Sequence, residues 1–241
     1  MKTSFIVPVY NEEKGIKKNL LRIFDFAKKN YSDFEIIVVD DGSQDSTWKI
    51  LQELNYKNLI LGKNPHNMGP GAAFRRGFSL ARGEVIVTLD FDLSFPITDT
   101  PKLLKKLNEG YDLVLASPYL LKGSTHKGIP PLRLFLSLAA VFIYGIAVGK
   151  ILTCYTGFFR AYRKNVTRSI EFESNGFESQ VEIIWKARRA GFKIVEVPST
   201  LIYDNTRISN FKIVREISRH LHFLFGILMW GNIRCWLRLS S

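Results

Sequence analysis

The sequence predicts an α/β domain on a mostly parallel sheet, with helices on both faces. Three observations carry this. Strand-length apolar runs alternate with helix-length amphipathic stretches through the first half of the chain. The run Phe34-Glu35-Ile36-Ile37-Val38-Val39 is nearly continuous in Ile and Val, as in a strand buried on both faces. The turns that carry acidic or glycine-rich motifs fall at the ends of successive strands, where open α/β sheets bind ligands.

In chain order, residues 4–10 form a short apolar run that ends in a turn. Residues 12–30 place Ile16, Leu20, Ile23, Phe24 and Ala27 on one helical face with lysines opposite. Residues 34–39 are the second strand. Asp45 offers an N-cap for a helix through Leu54. Residues 59–61 read as a short strand, 69–81 as a helix opened by glycine, and 84–89 as a β-branched strand. Residues 99–108 read as a helix capped by Asp99, and 112–116 as a further strand. The second half differs. Residues 134–149 carry no charge, residues 178–190 form an amphipathic helix ending at Gly191, and 193–202 read as one or two strands broken at Pro198. Residues 210–239 mix Phe, Leu, Ile and Trp with Arg and His in a helical pattern. The division expected is one domain over 1–209, in two parts over 1–117 and 118–209, the second holding an apolar helix at 132–149. A C-terminal amphipathic, membrane-interfacial helix over 210–241 follows it.

The chain has 241 residues, 46% of them hydrophobic, enough for a real core. Its formal charge of +12, from 34 basic and 22 acidic residues, favours a polyanionic partner: nucleic acid, anionic lipid or a phosphorylated substrate. No RNP aromatic motif, KH loop or helix-turn-helix signature supports nucleic acid. Cys154 and Cys235 have no metal-type spacing and read as free thiols in a reducing compartment. The first strand begins at once, without a secretory leader pattern, and the protein is expected on the cytoplasmic face of a membrane.

Three constellations carry chemistry. Asp90-Phe91-Asp92 follows the strand over 84–89. On a strand, positions i and i+2 point the same way, so the two carboxylates leave the sheet edge together. Paired carboxylates hold a hard cation such as Mg²⁺ or Mn²⁺, which also binds diphosphate oxygens. The alternative is an acidic turn. Asp40-Asp41-Gly42-Ser43 ends the second strand, where a carboxylate can receive a base or ribose; an ordinary capped turn is the alternative. Asn67-Met68-Gly69-Pro70-Gly71 opens a helix. Either its backbone N–H groups meet a phosphate, with Gly69 in the nucleotide site, or the glycines serve close packing. Neither a Gly-Lys-Ser/Thr loop nor GxGxxG after a first strand is present.

With Pro8-Val9-Tyr10-Asn11-Glu12 ahead of them, these motifs in this order resemble the family-two glycosyltransferases of the GT-A fold. The likeness is greatest to the dolichyl-phosphate mannose synthase and dolichyl-phosphate glucosyltransferase group. It continues through Ile129-Pro130-Pro131-Leu132-Arg133 and Ser137, through Thr156-Gly157-Phe158-Phe159-Arg160-Ala161-Tyr162, and through Gly176-Phe177-Glu178-Ser179-Gln180-Val181-Glu182, to Arg207, Ser209 and Lys212. The resemblance implies Pro8, Tyr10, Glu12, Asp40 and Asp41 around the nucleoside and Asp90 and Asp92 at a Mg²⁺ or Mn²⁺ ion. It implies Arg133, Ser137 and Arg207 on the acceptor phosphate, with Asp92, Arg133 and Arg207 as the catalytic set. Three departures stand out: Pro118 where the group has arginine, with Lys122 and Lys127 nearby; Tyr155-Thr156-Gly157-Phe158-Phe159 in place of the group's motif; and Asn210-Phe211 between Ser209 and Lys212, which alters the register of the acceptor loop.

The implied reaction moves a hexose, mannose ahead of glucose, from GDP-mannose or UDP-glucose to a polyprenyl or dolichyl phosphate, with inversion. A lipid phosphate is already an anion, so no glycosidase-type carboxylate pair is required, and positioning does the work. The run 134–149 is shorter than the ~20 apolar residues of a spanning helix. With 210–239 it fits an interfacial anchor at the membrane surface, alone or with a membrane-protein partner. Two other readings remain: a related transferase acting on a lipid-linked glycan, and a non-enzymatic basic module that binds nucleic acid.

Overall fold

The structure, a computed structural model, describes residues 2–120, 122–127, 131–149, 152–202 and 219–227. In chain order the strands are β1 (Thr3–Val9), β2 (Phe34–Asp40), β3 (Leu59–Lys63), β4 (Val85–Thr88), β5 (Leu113–Ser117), β6 (Thr125–Lys127), β7 (Arg160–Arg163), β8 (Ile194–Pro198) and β9 (Thr200–Ile202). The helices are α1 (Ile16–Asn30), α2 (Thr47–Glu53), α3 (Pro70–Leu80), α4 (Thr100–Asn108), α5 (Pro131–Val148), α6 (Lys164–Ser169) and α7 (Glu178–Arg189), with a 3-10 turn at Ile97–Asp99. Seven strands form one sheet in the order β3-β2-β1-β4-β7-β5-β8, and β6 pairs with β9 apart from it. All pairings in the main sheet are parallel except those of β7, which runs antiparallel to both β4 and β5.

The sheet is buried on both faces, which explains its unbroken apolar runs. Along β1, Phe5, Val7 and Val9 join a cluster with Leu20 and Ile23 of α1 and Leu103 of α4. Ile6 points the other way, into a cluster with Phe74 of α3, Ile86 of β4 and Val181 and Ile184 of α7. The first helical stretch begins later than its periodicity predicts, at Ile16, because the Glu12 carbonyl accepts from the amides of Gly15 and Ile16 in a turn.

Several expectations needed correction. Asp45 does not sit at the N-cap, since α2 begins at Thr47; its carboxylate still accepts from Thr47 N at 2.9 Å. Asp99 occupies the N-cap position of α4 but makes no capping bond. Its carboxylate instead pairs with Lys102 at 2.7 Å and accepts from Ser199 Oγ at 2.7 Å. Residues 193–202 do form two strands broken at Pro198, as expected, and the two lie in separate sheets. Strand β7 was not expected: Arg-Ala-Tyr-Arg offers no β-branched run, yet it lies between β4 and β5.

Two outcomes test this packing. A Cβ on Gly77 of α3 would lie 2.4 Å from Ile6 Cγ2 in β1. Gly77→Ala is therefore expected to cost about 1–3 kcal/mol by overpacking, read as a lower urea midpoint; an unchanged midpoint would show that α3 can shift. Cys154 is buried and free, and burial pushes its thiol up to about 11 from 9.0. The folded state favours the neutral thiol, so this contribution to stability is intact below pH 9.0 and fades as the pH rises through about 11. Iodoacetamide at pH 8, read by peptide mass spectrometry, should label Cys154 only after denaturation.

Candidate active site

The cleft begins at a reversal in the sheet. From β1 the chain steps outward to β2 and β3, then returns to place β4 on the other side of β1. Such switch points open a crevice at the carboxyl ends of the strands. Pairing of β1 with β4 stops at Ile6 and Thr88, while β1 runs on alongside β2 to Val9. Ile6 O accepts from Leu89 N, so Pro8, two residues later, also turns its backbone toward the β4 side, where the ladder has ended. A residue without an N–H costs no ladder bond there.

The loops after β1 and β2 are laced together. Asn11 N donates to Ser43 Oγ at 2.9 Å, and Asn11 Oδ1 accepts from Gln44 N at 2.8 Å. Glu12 N donates to Thr47 Oγ1 at 2.7 Å, and Glu13 Oε2 accepts from Ser46 N at 3.0 Å. Asn11 has φ 53, a left-handed conformation that asparagine tolerates. Tyr10 and Glu12 stand half-buried at this edge.

The two aspartates after β2 have different surroundings. Asp40 is fully buried; its Oδ1 accepts from Ser43 N at 3.2 Å and from Ser43 Oγ, and its Oδ2 has no hydrogen-bond partner. Asp41 is occupied by its own fold. Its Oδ1 accepts from Asn64 Nδ2 at 2.7 Å and Met68 N at 3.2 Å, and its Oδ2 from Gly69 N at 2.7 Å. Burial raises the Asp41 carboxyl despite those donors. Asp41 thus clamps the 64–69 loop. The backbone around Gly69 is engaged by the fold as well. The Gly69 amide is taken by Asp41, Gly71 N donates to Asn175 O at 2.7 Å, and a Cβ at Gly69 would lie 2.4 Å from Asn175 O. The glycines serve close packing of α3, the alternative left open by the sequence.

Asp90 and Asp92 are not on a strand, because β4 ends at Thr88. Leu93 N donates to Asp90 O at 3.1 Å and closes a turn, with Phe91 buried as its anchor and Leu93 at φ 53. The turn, rather than the pleat, brings the carboxylates within range of each other. Asp92 is exposed and its Oδ1 accepts from Ser94 N at 2.9 Å. Asp90 Oδ2 is buried without a hydrogen-bond partner. Burial, then the like charge of Asp92, pushes the Asp90 carboxyl up to about 8, with Arg160 opposing. A divalent cation would satisfy the stranded oxygen and the repulsion together, and an all-oxygen set fits Mg²⁺ or Mn²⁺. No third His, Cys, Asp or Glu joins the pair among the described residues. The remaining ligands would be diphosphate oxygens and water, the usual arrangement for Mg²⁺ at such sites.

Under this turn lies a group whose role the sequence did not disclose. Arg160 on β7 is fully buried, and its Nε, Nη1 and Nη2 donate to the carbonyls of Gly157 (2.8 Å), Gln180 (2.9 Å) and Tyr155 (2.6 Å). Glu196 on β8 accepts from Thr153 N at 2.8 Å and Cys154 N at 2.8 Å. The only hint was an arginine set among aromatic residues in Phe158-Phe159-Arg160-Ala161-Tyr162.

On the acceptor side, Ser137 of α5 is half-buried with its Oγ 3.3 Å from Tyr119 Oη, just past the end of β5. Arg133 lies in the first turn of α5, four positions before Ser137. Its side chain, and Arg207, Ser209 and Lys212 altogether, lie outside the described residues. Glu178 Oε1 accepts from Gly176 N at 2.9 Å, while Glu178 Oε2 and Gln180 Oε1 are buried without hydrogen-bond partners.

The sequence matches glycosyl transferase family 2 over residues 4–170. It is 34% identical over 234 residues to a dolichol-phosphate mannosyltransferase of Pyrococcus furiosus, covering 95% of this chain and 64% of that protein. It is 31% identical over 245 residues to a polyprenol monophosphomannose synthase of Mycolicibacterium smegmatis, covering 95% of this chain and 87% of that one. The chain thus spans less than two thirds of the Pyrococcus relative. The fold matches glucosyl-3-phosphoglycerate synthase from Mycobacterium tuberculosis, solved with Mn²⁺ and UDP-glucose, at a TM-score of 0.66 and 20% identity over 95% of this chain and 78% of that one. With the motifs at the strand ends and a sheet of this topology, the chain belongs to glycosyl transferase family 2 and has the GT-A fold.

Proposed function

We propose that this protein transfers a hexose, mannose ahead of glucose, from a nucleotide-activated donor to a polyprenyl or dolichyl phosphate at a membrane surface, with inversion. The observation that carries the reading is the Asp90–Asp92 turn at the sheet's switch point, with a buried carboxylate oxygen lacking a partner. The names of the two relatives favour GDP-mannose as donor. Asp40, whose Oδ2 has no hydrogen-bond partner, is the proposed nucleoside contact together with Tyr10 and Glu12. Asp41 shapes that pocket by holding the 64–69 loop.

A divalent ion bound by Asp90 and Asp92 would screen the charge that builds on the departing diphosphate. The acceptor phosphate oxygen forms its bond to the anomeric carbon on the face opposite the leaving diphosphate, whose bond breaks with its electron pair. An ionised phosphate has no proton to lose, so the chain needs no general base and contributes positioning. Ser137, with Tyr119 behind it, Arg133 and Arg207 are the proposed phosphate grips. Pro118, lacking the cation that the resembled group carries there, favours a second reading in which the acceptor is a lipid-linked glycan.

The lipid side has its own support. On α5, Leu138, Phe142 and Ile146 are exposed at helical spacing together with Ile143, and Leu221 and Phe225 are exposed on the helical segment 219–227. That segment packs beside α5 through a Tyr144–His220 hydrogen bond. Among the described residues no helix is long and apolar enough to cross a membrane. A face of this kind suits insertion into the headgroup region.

Radiolabelled GDP-mannose with polyprenyl phosphate and Mn²⁺ should give a labelled lipid, and Asp92→Asn should reduce its formation by about a hundredfold or more. Labelled glycan without labelled lipid phosphate would favour the second reading, and metal-independent transfer would defeat the assignment of the carboxylates. Phe142→Glu and Phe225→Glu should each weaken sedimentation with anionic vesicles by about tenfold, with the melting temperature unchanged. Unaltered vesicle binding would move the membrane contact elsewhere.

A further inference from the structure

The donor and acceptor sides of the cleft meet along one irregular stretch, residues 172–176, which leads into α7. Its backbone groups are taken from two directions. From α3, Arg75 Nη1 donates to Ser174 O at 2.8 Å and Phe172 O at 3.3 Å, and Arg75 Nη2 donates to Asn175 Oδ1. One turn earlier, Gly71 N donates to Asn175 O at 2.7 Å. From α7, Glu182 Oε2 accepts from Ser174 N at 2.9 Å and from Glu173 N at 3.2 Å, and Glu178 Oε1 accepts from Gly176 N at 2.9 Å. Glu182 is itself held by Lys186 at 2.7 Å. The carbonyls of Phe172, Ser174 and Asn175 are thus held from α3, and the amides of Glu173, Ser174 and Gly176 from α7.

We propose that Arg75 is a positioning residue that locks the lead-in of α7 to the start of α3, so that the donor loop and the acceptor half hold one fixed register. The lock reaches the donor side through Asp41, whose carboxylate takes Gly69 N immediately before α3. It reaches the acceptor side through Glu178 and Gln180 at the start of α7. The fit leaves no slack: a Cβ on Gly71 would lie 2.3 Å from Ser174 O and 2.7 Å from Ser179 Cβ. Arginine suits the task because one planar group reaches three acceptors in fixed directions, and the ring of Phe172 supports it at 5.2 Å from the guanidinium carbon. Lysine keeps the charge but cannot span those acceptors. The function given to the lock rests on the transferase reading above; the lock itself does not.

The test compares Arg75→Lys with Arg76→Lys, a neighbouring exposed position, in the full chain without ligand. Hydrogen exchange at Gly71, Glu173, Ser174 and Gly176 should quicken at least tenfold in Arg75→Lys, with the amides of β1 and β2 within twofold of wild type. Unchanged exchange at those four amides overturns the proposal. In the labelled-lipid assay, Arg75→Lys should lower kcat at least tenfold while the donor KM, and the thermal shift given by GDP with Mn²⁺, stay within twofold. Asn175→Ala should reproduce the loss, and the double variant should be no worse than either single one. A normal kcat, or additive losses, refutes the positioning role. If wild type forms no labelled lipid, the acceptor assignment fails, and the exchange comparison still decides whether Arg75 is the lock.

Discussion

The cleft depends on a guanidinium buried in the centre of the sheet. Isolated charge in a protein interior costs many kcal/mol unless it is bonded and balanced. Arg160 meets both conditions: three backbone carbonyls accept its N–H groups, and its charge acts on Asp90 and Glu196. The carbonyls come from the 155–157 loop and from α7, and the two carboxylates from the turn after β4 and from β8. One side chain therefore ties together the 155–157 loop, the start of α7 and the turn that carries Asp90 and Asp92. It can do so only because β7 runs antiparallel between β4 and β5, where it opposes Thr88 on one side and Leu115 on the other.

Sheet order and charge placement support each other. Stopping the β1–β4 ladder at Ile6 leaves the carboxyl ends of these strands splayed, which accommodates Pro8 and opens the crevice. Into it come acidic groups with different degrees of satisfaction. Asp41 is fully used by the fold, Asp40 is half used, and Asp90 retains a buried oxygen with no partner beside the exposed Asp92. A fold gains nothing in stability from stranded carboxylate oxygens. Their concentration at one crevice is therefore better explained by what binds there than by the needs of the sheet.

Much of this was legible in the sequence because it is local. Apolar periodicity marks β1 to β4 and their helices, and the motifs fall at or just past the ends of these strands. Other features depend on distant partners. The turn holding Asp90 and Asp92 was read as a continuing strand because nothing nearby shows that β4 ends at Thr88. The glycines at 69 and 71 look alike whether they face a phosphate or Asn175, about a hundred residues along the chain. Asp41 seemed a ligand-facing group because its acceptors' partners, Asn64 and Gly69, lie beyond the next strand. Strand β7 escaped notice because its burial comes from Arg160 and its neighbours, and hydrophobic pattern alone does not mark a buried arginine.

The apolar surface follows from the same division of labour. Helix α5 is apolar nearly all round in sequence, and among its described side chains Tyr144 and Val148 enter the core while Phe142 and Ile146 face outward. An exposed apolar face of this kind calls for a second apolar surrounding. The helical segment 219–227 does not supply it. It buries Leu224 and Ile227 in the core and turns Leu221 and Phe225 outward as well, enlarging the face rather than covering it. Ser137 ties that helix to the end of β5 through Tyr119, so the exposed face starts where the acceptor phosphate is proposed to sit. A phosphate with a long hydrocarbon tail would find its charged end at the strand termini and its tail against Leu138 and Phe142. A water-soluble donor could then enter from the β1–β2 side without crossing the lipid. On the proposed function, the polarity of the two ligands would match the polarity of the two approaches.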